Sequence, residues 1–229
     1  MWKELIKIWK SQSLLDQAWN ESFEMLEIDQ RMFREAVRIL RESDDLEIAS
    51  DVRELDRRVN KYERDVRRKV LTHCAVAGGS ADLPSAMVLV SVVIDIERIG
   101  DYCKNIVELA QHHPQRLSTG PFEAELDEVE GEVKERFERT IEVLRHHDVE
   151  GARELMATYR PEVSAVCDRI VDDLLEGKTN ELTASDAAAL ALYARYLKRI
   201  SAHLKNVASS VVNPFPRIGF KEKQPRSAS

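Results

Sequence analysis

Oxygen-bearing side chains recur one helical turn apart in the stretch DIERIGDYCKNIVE, which covers residues 95–108. Glu97 and Asp101 are four residues apart, so on a helix both side chains project from one face. Asp56 and Asn60 have the same spacing in the preceding helical segment. Carboxylate and amide oxygens on two rigid helices are ligands that hard cations such as Mg²⁺, Mn²⁺, Ca²⁺ or iron prefer. The four residues form a candidate metal site, with a solvated charged face as the alternative interpretation.

These residues belong to a helix that occurs twice. The stretch YLKRISAHLKNVAS, at 196–209, repeats the frame of the first in the same register. Seven apolar positions have apolar counterparts in the second copy: Leu89, Val92, Ile96, Ile99, Cys103, Ile106 and Ala110 correspond to Leu190, Tyr193, Leu197, Ile200, Leu204, Val207 and Val211. Apolar residues at intervals of three and four indicate a one-sided helix. The repeat predicts two related three-helix units.

Composition supports an all-α fold. The chain of 229 residues is 43% hydrophobic and 33% charged, with only 8 Gly and 7 Pro. We therefore predict two tandem three-helix bundles, built from six long antiparallel helices that are related by internal pseudo-symmetry. Predicted helices cover about 1–42, with Trp2 and Trp9 facing inward, then 46–76, a third that ends near 111, and 122–146 and 152–176. A sixth helix follows a cap at Thr183 or Ser185 and ends near 212. The segment 112–121 separates a first repeat (1–113) from a second (121–213), and 214–229 form a tail.

Charge and cysteine usage exclude several classes of protein. A formal net charge of -7 argues against a general nucleic-acid binder. Cys74, Cys103 and Cys167 form no CxxC pair, which indicates reduced thiols in a cytoplasm, and Cys103 falls on the apolar stripe. Glu4 and Lys7 interrupt the apolar residues of the N-terminal segment, so we expect no secretory signal. The longest apolar run is far shorter than a membrane helix requires.

The stretch IERIGDYCKNIVE resembles the signature of the PhoU family, whose usual form is LERIGDxxxNIxE. The resemblance extends over about 1–212 and implies two three-helix bundles with repeated E(D)xxxD motifs that bind metal ions on the bundle surface. Glu97 and Asp101 match one motif fully. Asp56 and Asn60 match its partner, except that Asn replaces the second acid. The implied cofactor is a divalent metal or iron: Fe, Mn, Mg or Zn.

The resemblance also implies a function without catalysis. Proteins of this kind act as cytoplasmic adaptors and negative regulators of phosphate homeostasis, beside a phosphate transporter and a sensor histidine kinase. We therefore expect no enzyme activity, no nucleic-acid partner, a homodimer, and contact with the membrane only through a partner protein.

The second repeat departs from the family pattern. The positions of the four candidate ligands carry Lys198, Ala202, Arg160 and Ser164, which include no carboxylate and two cations. His203 follows the lost acid, and a lone histidine of this kind is more often structural or solvated than a ligand. Two alternatives stay open: a metal-free scaffold that binds other partners, and a helical metalloenzyme with a carboxylate-bridged centre. The enzyme is disfavoured because such centres use Glu-x-x-His motifs, and no Glu here has a His three residues later.

Overall fold

The computed structural model describes residues 13–43, 49–76, 80–113, 115–179 and 181–222. Six long helices form, and the described residues contain no strand. They are α1 (Leu14–Glu42), α2 (Ala49–Val76), α3 (Leu83–His112), α4 (Glu123–His146), α5 (149–175) and α6 (Ala184–Ser209). Short 3₁₀ turns cover Gly120–Phe122 and Phe215–Arg217. The prediction of tandem three-helix bundles is confirmed.

A capping residue sets the start of α1. Ser13 has an extended backbone, its hydroxyl accepts a hydrogen bond from the amide of Asp16, and its own amide donates to the Asp16 carboxylate. This capping box begins the helix at Leu14, so the predicted continuous helix from Met1 is wrong at Ser13. The inward-facing Trp2 and Trp9 lie outside the described residues. So do 44–48, which include the predicted start of the second helix, as well as 77–79 and residues 223–229 of the predicted tail.

Helix α5 contains an irregular turn at its proline. Val149–Tyr159 and Ala165–Leu175 are α-helical, and Arg160–Ser164 between them form a π-helical turn around Pro161. Proline lacks the amide proton that a regular helix needs, so the chain widens locally and then resumes. The structure therefore accommodates Pro161 in a single π turn within one continuous helix.

One apolar core runs through both repeats. Within the first repeat α1 packs on α2 and α3, and across the repeats α3 packs along α6 and α1 along α4. Every predicted position of the two apolar stripes is buried except Val211, which is partly buried, and Cys103 has no exposed surface. No helix of the described ranges is long and apolar enough to cross a membrane.

The residues that follow α6 fold back against it. The side-chain amide of Asn213 donates to the carbonyl of Phe220, and the backbone amide of Gly219 donates to the hydroxyl of Ser209. Gly219 has φ of 83°, a left-handed backbone that glycine adopts without strain. This segment (213–222) therefore docks on the bundle.

A buried ion pair joins the two repeats. Arg41, at the end of α1, contacts Glu123, Asp127 and Glu130 of α4 at 2.9–3.0 Å. The side chains of Arg41 and Glu130 are each only 7% exposed. Tyr193 of α6 donates its hydroxyl to Glu130 at 2.8 Å. The guanidinium thus holds a carboxylate that would otherwise lack a counter-charge inside the protein.

Replacing Arg41 by Ala is expected to lower the free energy of unfolding by about 3 kcal/mol, because it leaves Glu130 buried without its cation. Urea denaturation followed by circular dichroism measures the loss. Arg34→Ala is the matched control, since Arg34 also joins α1 to α4, through Glu138, but both side chains are more than half exposed. Its cost should stay below about 1 kcal/mol. Equal losses for the two variants would contradict the buried role of Arg41.

Candidate functional site

Two of the predicted metal ligands, Asp56 on α2 and Asp101 on α3, contact the same lysine side chain. Lys104 lies one turn beyond Asp101 on α3, and its Nζ is 3.0 Å from Asp101 Oδ1. The same Nζ is 3.4 and 3.5 Å from the two carboxylate oxygens of Asp56 on α2. Burial alone would lower the pKa of Lys104, but the hydrogen bond to Asp101 and the charge of Asp56 raise it overall. The facing acidic lines predicted from the sequence therefore meet around an ammonium group.

The other two predicted residues flank this contact. Asn60 donates its side-chain amide to the backbone carbonyl of Asp56 at 3.0 Å. Glu97 is mostly buried, and burial together with the charge of Asp101 raises its pKa, although Arg98 opposes the shift. Arg98 also contacts Asp101, at 3.2 Å. The candidate site is a strip of oxygen donors between α2 and α3 that basic residues of α3 already accompany.

The oxygen donors of this strip are chemically suited to a hard cation, and the neighbouring charges determine how such a cation could bind. Carboxylates and amide oxygens suit Mg²⁺, Mn²⁺ or iron. The Lys104 ammonium contacts both Asp56 and Asp101, so a metal ion would compete with it for these carboxylates. Within the described ranges, no three His, Cys, Asp or Glu side chains surround one point as metal ligands would. A metal ion would therefore have to displace the Lys104 ammonium and draw the carboxylates together.

Beneath this strip lies a carboxylate that the sequence analysis missed. Asp29 of α1 has no exposed surface, and neither of its carboxylate oxygens has a hydrogen-bond partner among the described residues. Burial raises the pKa of Asp29 well above its ordinary value, and the charges of Asp56, Glu97 and Asp101 raise it further. The carboxyl group thus lies within electrostatic reach of three of the four predicted ligands. A signal was present in the sequence, since an acid at this position interrupts the apolar stripe of α1.

A glycine makes room for that carboxylate. A Cβ atom added to Gly100 of α3 would lie 2.8 Å from Asp29 Oδ1 and 3.6 Å from Val59 of α2. Glycine inside a helix costs about 1 kcal/mol relative to alanine. The corresponding position of the second repeat is Ser201, which is fully buried. The equivalent position of the second repeat therefore accommodates a side chain. In the first repeat, Asp29 occupies the space that a side chain at position 100 would need.

The second repeat arranges its charges differently. Lys198, which stands where the first repeat has Glu97, contacts Asp168 of α5 at 2.5 and 2.6 Å. One of the two cations at the aligned positions therefore has its own counter-ion. Asp168 was not among the positions aligned from the sequence, and only the packing of α5 on α6 shows the pair.

His203 has a structural place between α6 and α3. Its Nδ1 is 2.7 Å from Asp95 Oδ1 of α3, and Asn206 donates to the same oxygen at 3.0 Å. The imidazole also stacks on the ring of Tyr102. These contacts join α6 to α3 beside the apolar stripe.

Replacing Asp29 by Leu is expected to change how stability depends on pH. A carboxyl whose folded-state pKa is raised keeps its proton at pH values where the unfolded chain has released it. The free energy of unfolding of the metal-free protein should therefore fall as pH rises above 3.8, the ordinary value for Asp29. Asp29→Leu should remove that part of the slope and raise stability at neutral pH. Urea denaturation from acidic to neutral pH measures both.

Glu128→Leu is the control for this experiment, because it removes an exposed carboxylate from α4. It should leave the slope almost unchanged. The interpretation of Asp29 is contradicted if its variant and the control have the same pH dependence.

The comparisons with known proteins agree with the fold and with the signature. The PhoU domain family matches the chain twice, at residues 23–110 and 126–211. The crystal structure of PhoU from Pseudomonas aeruginosa is similar, with a TM-score of 0.75 and 21% identity over 87% of this chain and 95% of that one. The phosphate transport system regulatory protein PhoU from Streptococcus pneumoniae has a TM-score of 0.75 and 14% identity, over 86% and 93%.

No curated protein matches the chain by sequence. At these low identities the two solved structures establish the fold alone. The family match is independent of them, and it covers both repeats and includes all four candidate ligands. The chain belongs to the PhoU domain family.

Proposed function

We propose that the chain is a cytoplasmic adaptor that regulates phosphate uptake and phosphate-starvation signalling by binding a phosphate transporter, a sensor histidine kinase or both. The observation that carries this proposal is the family match across both repeats. A solved structure of the same fold bears the name of a phosphate transport system regulatory protein. We further propose that the protein is a homodimer and that it reaches the membrane only through its partner.

The chemistry of the described residues supports binding without catalysis. Burial raises the pKa of the Cys103 thiol well above its ordinary value, and that of Cys167 to about 12, so neither forms the thiolate that a nucleophile requires. His73, His113 and His203 each lie within 3.3 Å of an aspartate that ties two segments of the bundle together. These groups serve the fold.

We propose that the acidic strip of the first repeat binds a divalent metal ion or iron through Glu97, Asp101, Asp56 and Asn60. Fe, Mn, Mg and Zn are the candidates. The metal would supply positive charge to a docking surface, and the chain's own residues would orient it from two helices. The oxygen donors that two neighbouring helices present support this proposal.

A metal-free scaffold is the second candidate, and one observation favours it. The ammonium of Lys104 already contacts the carboxylates of Asp56 and Asp101. Because the Lys104 ammonium already offsets the negative charge of these carboxylates, no metal ion is required to do so. A partner protein would then bind a surface of paired charges.

Deleting the gene tests the regulatory function. In phosphate-rich medium, we expect the deletion to raise uptake of radiolabelled phosphate and to activate phosphate-starvation genes, because a negative regulator is lost. The wild-type gene should restore both. Unchanged uptake and unchanged gene expression in the deletion strain would reject the proposal.

Substituting the lysine tests the metal proposal against the scaffold. Lys104→Gln removes the competing ammonium and should tighten binding of Mn²⁺ by about tenfold, while Glu97→Gln/Asp101→Asn should weaken it by at least as much. Lys198→Gln, which makes the same charge change on the second repeat, should have no effect. Isothermal titration calorimetry measures the affinities. Failure of both the wild type and Lys104→Gln to bind Mn²⁺ would favour the scaffold.

A further inference from the structure

Asp29 is an ionisable side chain in a place where charge is unfavourable. Its carboxylate is sealed from solvent, and neither oxygen receives a hydrogen bond from any described residue. Nearby on α3, the Cys103 thiol donates to the backbone carbonyl of Asp29 and not to its carboxylate. Packing alone would be served better by an apolar side chain, because a buried carboxylate without partners destabilises the folded state.

The buried carboxylate of the other repeat shows the contrast. Glu130 of α4 is also inside the bundle, but Arg41 lies 3.0 Å from it and Tyr193 donates to it. Glu130 therefore has a cation and a hydrogen-bond donor, while Asp29 has neither. Asp29 lacks such a positive charge, although it lies within electrostatic reach of Asp56, Glu97 and Asp101 of the acidic strip.

Gly100 connects Asp29 with that strip. The glycine precedes Asp101 on α3, and the missing side chain leaves the space beside Asp29 Oδ1 and Val59. Asn60 follows Val59 on α2 in the same way. The carboxylate of α1 thus reaches the seam between α2 and α3, beside the residues that border Asn60 and Asp101.

We propose that Asp29 is a ligand of the cation that binds between α2 and α3, so that the site takes oxygen atoms from all three helices of the first repeat. This inference rests on the proposed metal site and extends it by one residue that the family signature does not contain. The cation that displaces the Lys104 ammonium from Asp56 and Asp101 acquires Asp29 from the core side. The ligand is a hard divalent cation, because all the donors are oxygen atoms.

Titration of the full-length protein with Mn²⁺ tests the inference, with free Mn²⁺ measured by its EPR signal. Asp29→Asn keeps the shape of the side chain, and we expect its dissociation constant to rise about tenfold or more relative to wild type. Gly100→Ala is a second variant, because its Cβ would displace Asp29 Oδ1 while every other donor is unchanged. It should weaken binding in the wild type and have little effect when Asp29 is already Asn. Glu128→Gln, on α4, is the control for loss of one negative charge.

The possible results separate the two proposals. Weaker binding by Asp29→Asn, with unchanged binding by Glu128→Gln, supports the role of Asp29. Equal affinity in Asp29→Asn and wild type, together with weaker binding by Glu97→Gln/Asp101→Asn, overturns this inference and leaves the proposed surface site intact. Absence of Mn²⁺ binding in both wild type and Lys104→Gln overturns both. Circular dichroism confirms that each variant is folded before it is titrated.

Discussion

The apolar seam between α3 and α6 is the contact on which the rest of the structure depends. Each of these helices faces the two other helices of its own repeat and also its counterpart in the other repeat. Their stripes are buried together in one core, with residues such as Ile99 and Ile200 fully enclosed. Burial of apolar surface on this scale is the main favourable term in folding. Substitutions in the stripe are therefore restricted, whereas positions beside it can change.

The charged residues beside the seam differ between the two repeats. The first repeat gathers Asp56 and Asp101 around Lys104, and the second pairs Lys198 with Asp168. Both arrangements balance charge on rigid helices, so both are compatible with the same core. The repeats therefore differ in the charges that they present beside the same core. The shared apolar core does not determine these charges.

Periodicity explains why the fold could be predicted and why part of the site could not. The spacing of Leu89, Ile96 and Cys103, repeated in the second half, is sufficient to identify helices and their buried faces. The spacing of Glu97 and Asp101 likewise places both acids on one face. Spacing along one helix cannot show contacts between helices, such as Lys104 with Asp56. The break at Ser13 was missed because a capping box depends on local hydrogen bonds within a sequence that otherwise reads as helical.

Asp29 and Gly100 are each unfavourable when considered alone, and their proximity gives them a common explanation. A glycine weakens the interior of α3, and an unpaired carboxylate weakens the core under it. The second repeat contains a buried serine at the position of Gly100, so bundle packing does not demand a glycine there. Natural sequences depart from the rules of good packing chiefly at functional sites. The first repeat departs from them at the point where its acidic strip meets the core, and this coincidence supports the proposal that Asp29 and the strip bind one cation.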